Sequence, residues 1–252
     1  MLRTLAERAS RGIVLRRRLP ERFGRLPIFV TPDAGLRFWR FNIESADPQL
    51  FDWASELVHS GDVVWDIGAN VGLFAFASAA RAGATGRVYA VEADLWLASL
   101  LRRSAGLPGG GRAPVEVLPL AISDKVGLSR FQIAQRGRCT NFLEEAGGNP
   151  QAGGTRETGW VPTFTLDWLA DRLPPPGVVK IDVEGAEYLA LKGAERLLSE
   201  IRPVVICEVL SEKVRVRDLF EHHNYELYNA GAPASQRQPV RDLPFNVLAR
   251  PK

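Results

Sequence analysis

"VVWDIGANVG", residues 63–72, decides how this chain is read. Val63, Val64, Trp65 and Ile67 form an apolar run suited to a buried strand, and Gly68 to Gly72 form a turn of mostly small residues. Leu73, Phe76, Ala77 and Ala80 follow at helical spacing. A strand entering a helix through so tight a turn is half of a β-α-β unit, and Gly68 and Gly72 let the backbone approach a ligand closely. Asp66 inside the strand and Asn70 in the turn do not fit a plain core. The middle glycine of the G-x-G-x-x-G dinucleotide fingerprint is missing, and a carboxylate two residues before Gly68 repels a pyrophosphate. The turn suits a cation.

The same alternation runs outward from this stretch. "RVYAV" (87–91) precedes the helical "DLWLASLLRRSA" (94–105), and "VEVLPLA" (115–121) is a third strand. "GVVKID" (177–182) and "RPVVICEV" (202–209) flank a helix with Ala190, Ala194, Leu197, Leu198 and Ile201 on one stripe. "EKVRVRDLFEHHN" (212–224), "YELYNA" (225–230) and "FNVLAR" (245–250) close the series. Continuous apolar strands separated by helices imply a parallel sheet covered on both faces. The expected fold is therefore one doubly wound α/β domain with a mostly parallel seven-stranded sheet, residues 28–252, behind a basic arm at 1–27. Ahead of the sheet, "PIFVTPDAGLRFWRFN" (27–42) reads as two short strands and "DPQLFDWASELVHSGD" (47–62) as an amphipathic helix. "VGLSRFQIA" (126–134) alternates like an antiparallel strand. The Gly-rich polar stretch from Ala134 to Trp160 is long for a connection and reads as a lid or a surface insertion. "WVPTF" (160–164) and the helix "TLDWLADRL" (165–173) resume the pattern.

Composition bounds the function. At 252 residues and 46% apolar, the chain can bury a full core. No run approaches the roughly 18 apolar residues of a membrane span, so a cytoplasmic protein is expected. Cys139 and Cys207 read as reduced thiols. Net charge is only +3, but residues 1–27 carry eight Arg against two Glu, which leaves the remainder acidic and argues against a nucleic-acid partner. Leu2, Leu5, Ala9 and Ile13 fall at helical spacing in that arm. It reads as a helix packed loosely on the body, with contact to an anionic membrane or partner surface as the functional alternative. Nothing in the residues fixes an oligomeric state.

Glu92 ends the "RVYAV" strand, where an acid can accept two hydrogen bonds from a ribose diol. Alone, Asp66 also fits a cap on its turn; together with Glu92 it asks for a nucleoside bearing a positive group. S-adenosylmethionine (SAM) has a ribose, an ammonium and a sulfonium, and lacks phosphates. "DVVWDIGANVGLFAF", "VYAVEAD", "LPLAISDKVG", "VPTFTLDWL" and "VVKIDVEGAEYLALKGAERLL" together resemble the SAM-dependent methyltransferases of the FkbM family, over about residues 28–250. The resemblance implies that Asp66, Gly68, Asn70 and Gly72 line the methionine side of SAM, that Glu92 holds the ribose, and that Ser123 and Asp124 border the adenine. It also implies O-methylation of a sugar, a glycan or a hydroxylated natural product. The Gly-rich 144–159 segment departs from the family pattern, on the substrate side.

"KIDVEGAE" (180–187) supplies a second set of acids. Methyl transfer is an in-line displacement at an activated carbon, so alignment is the main task, and a hydroxyl nucleophile also needs a base. Asp182 and Glu184 are the candidates. Asp182, Glu184 and Glu208 are equally a candidate set for a divalent metal, and Glu187 reads as a structural helix start. Strand alternation points Lys180 to the face opposite the immediate neighbours of Asp182, and it reads as a salt-bridged structural residue, with a role toward substrate or the SAM carboxylate as the alternative. His222-His223 reads as a helix terminus, and Thr140, Asn141 and Phe142 as a polar turn near the substrate. Two rivals remain open at this level. One is an amino-group methyltransferase on RNA or protein, although "DVEG" replaces the Asn-Pro-Pro-Tyr type segment of base methylases. The other is a non-catalytic SAM- or nucleoside-binding domain.

Overall fold

In this computed structural model, residues 2–147 and 152–252 are described, with side chains from Arg3 onward. The middle of the Gly-rich segment, 148–151, and the side chain of Leu2 lie outside them. Helix α1 (Leu2–Ala9) and an antiparallel ribbon of β1 (Leu15–Arg18) and β2 (Pro27–Val30) lead into α2 (Pro48–Leu57). The main sheet begins with β3 (Val63–Ile67), α3 (Leu73–Ala82), β4 (Arg87–Val91), α4 (Leu95–Ala105) and β5 (Val115–Leu118). A second sheet follows, of β6 (Ala121–Ile122), β7 (Gly127–Ala134), β8 (Phe142–Leu143) and β9 (Thr155–Phe164). The chain then returns through α5 (Leu166–Ala170), β10 (Val178–Ile181), α6 (Glu187–Lys192), β11 (Val204–Glu208), α7 (Lys213–His222), β12 (Tyr225–Asn229) and β13 (Asn246–Pro251).

The seven strands of the main sheet lie in the order β12-β13-β11-β10-β3-β4-β5. β13 alone runs against its neighbours. All four residues of β10 are buried, as are four of the five in β3, because helices cover both faces. The chain winds outward from β3 through β4 to β5 and then crosses back to β10. The carboxyl ends of β3 and β10 therefore flank a topological switch point, the place where open α/β sheets bind ligands.

Three expectations change. The 27/28 boundary falls inside β2, and Leu19, Phe23 and Leu26 are buried in the same apolar core as α2 and α3, so much of the basic arm belongs to the body. The second N-terminal strand is instead a 3-10 turn, Leu36–Trp39. The long polar connection is partly a strand: β9 pairs with β7 from Gly127↔Thr163 to Ala134↔Thr155, which makes this region the wall of a second sheet. Its alternating exposed residues hid the strand from a reading based on apolar content.

Gly68 and Gly72 both adopt positive φ, for different reasons. A Cβ on Gly68 would lie 1.8 Å from the backbone oxygen of Asp182, so this glycine lets the ends of β3 and β10 close together. A Cβ on Gly72 would meet Leu101 and Phe76 within 2.8 Å; its task is packing α3 against α4, and it lies outside both site cavities. Gly68→Ala is expected to cost about 3 kcal/mol of stability. Urea unfolding followed by circular dichroism checks this, and a loss under about 1 kcal/mol would show that the β3–β10 junction can yield.

Candidate active site

Lys180 stands at the switch point. It is the register partner of Asp66 on the adjacent strand, and its Nζ lies 3.2 Å from Asp66 Oδ1 and 3.3 Å from Asp182 Oδ2. It also donates to the Gly68 carbonyl at 3.3 Å. Positions 180 and 182 share a strand face, so the two side chains meet, and Lys180 is the salt-bridged residue that the sequence led one to expect. Desolvation by itself would lower the Lys180 pKa; Asp66, Asp182 and Glu208 outweigh it and hold the ammonium charged. Asp66 is fully buried, and burial pushes its carboxyl up while Lys180 pulls it down. The cation that Asp66 was expected to meet on a ligand is thus supplied by the protein itself.

One cavity extends from this point over the ends of β3 and β4. Glu92 is 7% exposed in its wall. Its Oε2 accepts from the Asn70 backbone N–H at 2.7 Å and its Oε1 from the Asp94 N–H at 2.9 Å, so one further lone pair on each oxygen faces a ligand. Burial, above all, raises its pKa to about 7. Asn70, held at φ 55°, presents a buried Oδ1 that accepts no hydrogen bond among the described residues. Leu97, Leu120, Ile122 and Phe131 give the far end apolar walls. Ser123 and Asp124 are not in this wall. The Ser123 hydroxyl donates to Glu145 at 2.8 Å and Asp124 pairs with Lys192 at 2.7 Å, because the chain turns away after β6 toward β9.

The second cavity is a wider crevice that shares Gly68, Asn70, Cys139, Asp182 and Glu184 with the first. Asp47, Glu208 and Asn246 line it further out. Carboxylate oxygens of Asp182, Glu184 and Glu208 lie within 4.8 Å of one another. Burial first, and Asp182 next, raise Glu208 to about 8. Glu187 faces inward with its Oε1 accepting from the Gly185 N–H at 2.8 Å, as a helix-start acid should.

A family model described as the methyltransferase FkbM domain matches residues 66–231, which include every side chain of this charged floor. The chain belongs to the FkbM methyltransferase family. The hexuronic acid methyltransferase AglP of Haloferax volcanii is 27% identical over 175 residues, 67% of this chain. The match covers 64% of AglP, so the chain spans somewhat under two thirds of that relative. Among solved structures, the methyltransferase FkbM of Methylobacillus flagellatus KT has a TM-score of 0.47 at 14% identity, over 79% of this chain and 50% of that one. Magnesium protoporphyrin IX methyltransferase ChlM of Synechocystis PCC 6803, with bound SAM, has a TM-score of 0.45 at 13% identity, over 83% and 80%.

In this FkbM protein the wall facing Glu92 includes Arg138, which the sequence did not single out, and Asn141. Arg138 reaches from the loop after β7 to pair with Asp33 (2.9 Å) and Asp94, and its guanidinium lies 4.8 Å from the Trp96 ring centroid. Asp94 Oδ1 also caps α4 by accepting from the Trp96 N–H, while its Oδ2 accepts from Asn141 Nδ2 at 2.8 Å. Asn141, expected as a turn residue facing substrate, is a buried strut whose Oδ1 accepts from the Ala134 N–H. The sequence signal was faint: an Asp two residues after Glu92, at a helix N-cap. Removing one member of a buried ion set strands the others. Asp66→Asn should therefore lower stability by about 3 kcal/mol, read by denaturant unfolding. An unchanged midpoint would mean that Asp182 alone satisfies Lys180.

Proposed function

We propose that this FkbM methyltransferase moves the methyl group of SAM to a hydroxyl of a sugar, a glycan or a hydroxylated natural product. The observation that carries this reading is the junction of the two cavities at Asp182 and Glu184: a nucleoside-sized pocket on one side and an acid-lined crevice on the other. Glu92 accepts the ribose hydroxyls. The free Asn70 Oδ1 and the backbone at Gly68 face the amino-acid side of SAM, and the apolar far wall takes the adenine. Asp66 acts through Lys180, whose charge it secures. Bound SAM supplies a methyl carbon activated by its sulfonium.

A hydroxyl attacking that carbon must lose a proton, and the crevice acids receive it. Glu208 keeps its own proton near neutrality, which leaves Asp182, paired with Lys180 at 3.3 Å, as the acceptor beside the junction. Glu184 flanks it and orients the acceptor. Hexuronic acid methylation by AglP supports a carbohydrate acceptor at the level of chemistry.

Two outcomes test these roles. Because ribose binding needs the charged form of Glu92 and its pKa is about 7 without ligand, SAM affinity should fall as pH drops through that value. Titration calorimetry across this range should show a flattened profile in Glu92→Gln, with binding weaker by about 2–4 kcal/mol. A parallel profile in that variant would remove Glu92 from the ribose. Asp182→Asn should bind SAM nearly normally and lower turnover by about 10²–10⁴-fold, measured as S-adenosylhomocysteine released with a panel of glycosides. Repeating the assay with Mg²⁺ and with a chelator separates a base at Asp182 from metal ligation by Asp182, Glu184 and Glu208.

A further inference from the structure

Helix α1 is packed the reverse way round. Its buried positions are polar, Glu7 at 8% exposure with the adjoining Ser10 at 0%, while Leu5 stands 56% exposed and Ala6 and Ala9 face solvent. Glu7 is satisfied by Arg3 at 2.9 Å, and Ser10 donates to the Ala6 carbonyl. The apolar side of the helix has no partner among the described residues. Trp39, 45% exposed, donates its indole N–H to Ser10 Oγ at 3.1 Å, which joins the 3-10 turn to α1. Phe41 beside it is 91% exposed. Arg17 ties the group together, with hydrogen bonds to the carbonyls of Trp39 and Arg40 and its guanidinium 5.2 Å from the Phe41 ring centroid.

We propose that the exposed apolar side chains Leu5, Trp39 and Phe41, with the arginines beside them, dock the chain on an anionic phospholipid bilayer. Arg17 touches Phe41, Arg40 stands between Trp39 and Phe41 in the chain, Arg8 and Arg11 flank Ser10 in the chain, and none of the four pairs with a carboxylate among the described residues. Their charge is complementary to phosphate headgroups, while the body beyond residue 27 is net acidic and would be repelled by them. That asymmetry orients the molecule. The aromatic side chains supply the apolar part. Trp39 has its only polar group already bonded, so immersing it at the headgroup level strands no donor, and Phe41 has none. Arg3 and Glu7 of α1 and Leu36 and Arg37 of the 3-10 turn also line the crevice, so the docked surface adjoins the rim of the site.

Co-sedimentation of the full chain with vesicles of phosphatidylcholine, with and without phosphatidylglycerol, tests the proposal. Capture should require the anionic lipid and weaken with added salt. Phe41→Ser should lower it several-fold, and each of Arg8→Ala and Arg11→Ala by about five-fold, with thermal unfolding unchanged because all three side chains are exposed. Three results overturn it: no capture by either vesicle, equal capture by both, or wild-type capture by folded Phe41→Ser. Tighter binding to a short single-stranded RNA than to the vesicles, indifferent to Phe41→Ser, would also overturn it in favour of a nucleic-acid partner. None of these readouts depends on SAM or on an acceptor.

Discussion

A buried ammonium cannot remain charged without its acids, and Lys180 is buried where the sheet reverses its winding. Asp66 on one side and Asp182 on the other neutralise it, at 3.2 and 3.3 Å, and the Gly68 carbonyl takes a third contact. Such a set is worth little as net stability but costs several kcal/mol when one member is lost, so the three residues constrain one another. The constraint is also spatial. β3 and β10 must end level, their loops must cross in van der Waals contact, and only a glycine fits at 68. The floor of the site is thus a consequence of how one lysine is kept charged.

The other acids of the site are arranged around that floor. Toward β4, Glu92 is fixed by two backbone N–H groups and left with lone pairs to spare. Toward β11, the acids crowd together, and burial with mutual repulsion keeps a proton on Glu208 near neutral pH. Asp182, 3.3 Å from the lysine, is common to both cavities. The second sheet closes the far side. Its loop is pinned through Arg138 to Asp33 and Asp94, two acids of low exposure that no nearby residue in sequence could neutralise. Rigid walls of this kind hold the reacting atoms in line, which is most of what methyl transfer asks of a protein.

The sequence by itself determined the winding of the sheet, the family, and the positions of Asp66, Glu92 and Asp182 at strand ends. These are legible because parallel strands buried on both faces read as apolar runs, and an acid ending such a run stands out against them. What lay outside its reach has a common physical cause. The partner of Asp66 is 114 residues away in the chain and adjacent only through strand register, so a cation sought on a ligand proved to be Lys180. Ser123 and Asp124 sit beside cavity-lining Leu120 to Ile122 in sequence, yet the turn toward β9 spends their polar atoms on Glu145 and Lys192. Arg138 and Asn141 looked like loop polarity until Asp94 was in contact with both. Periodicity reports which way a side chain faces along its own element; which charge it meets there is set by elements that only folding brings alongside.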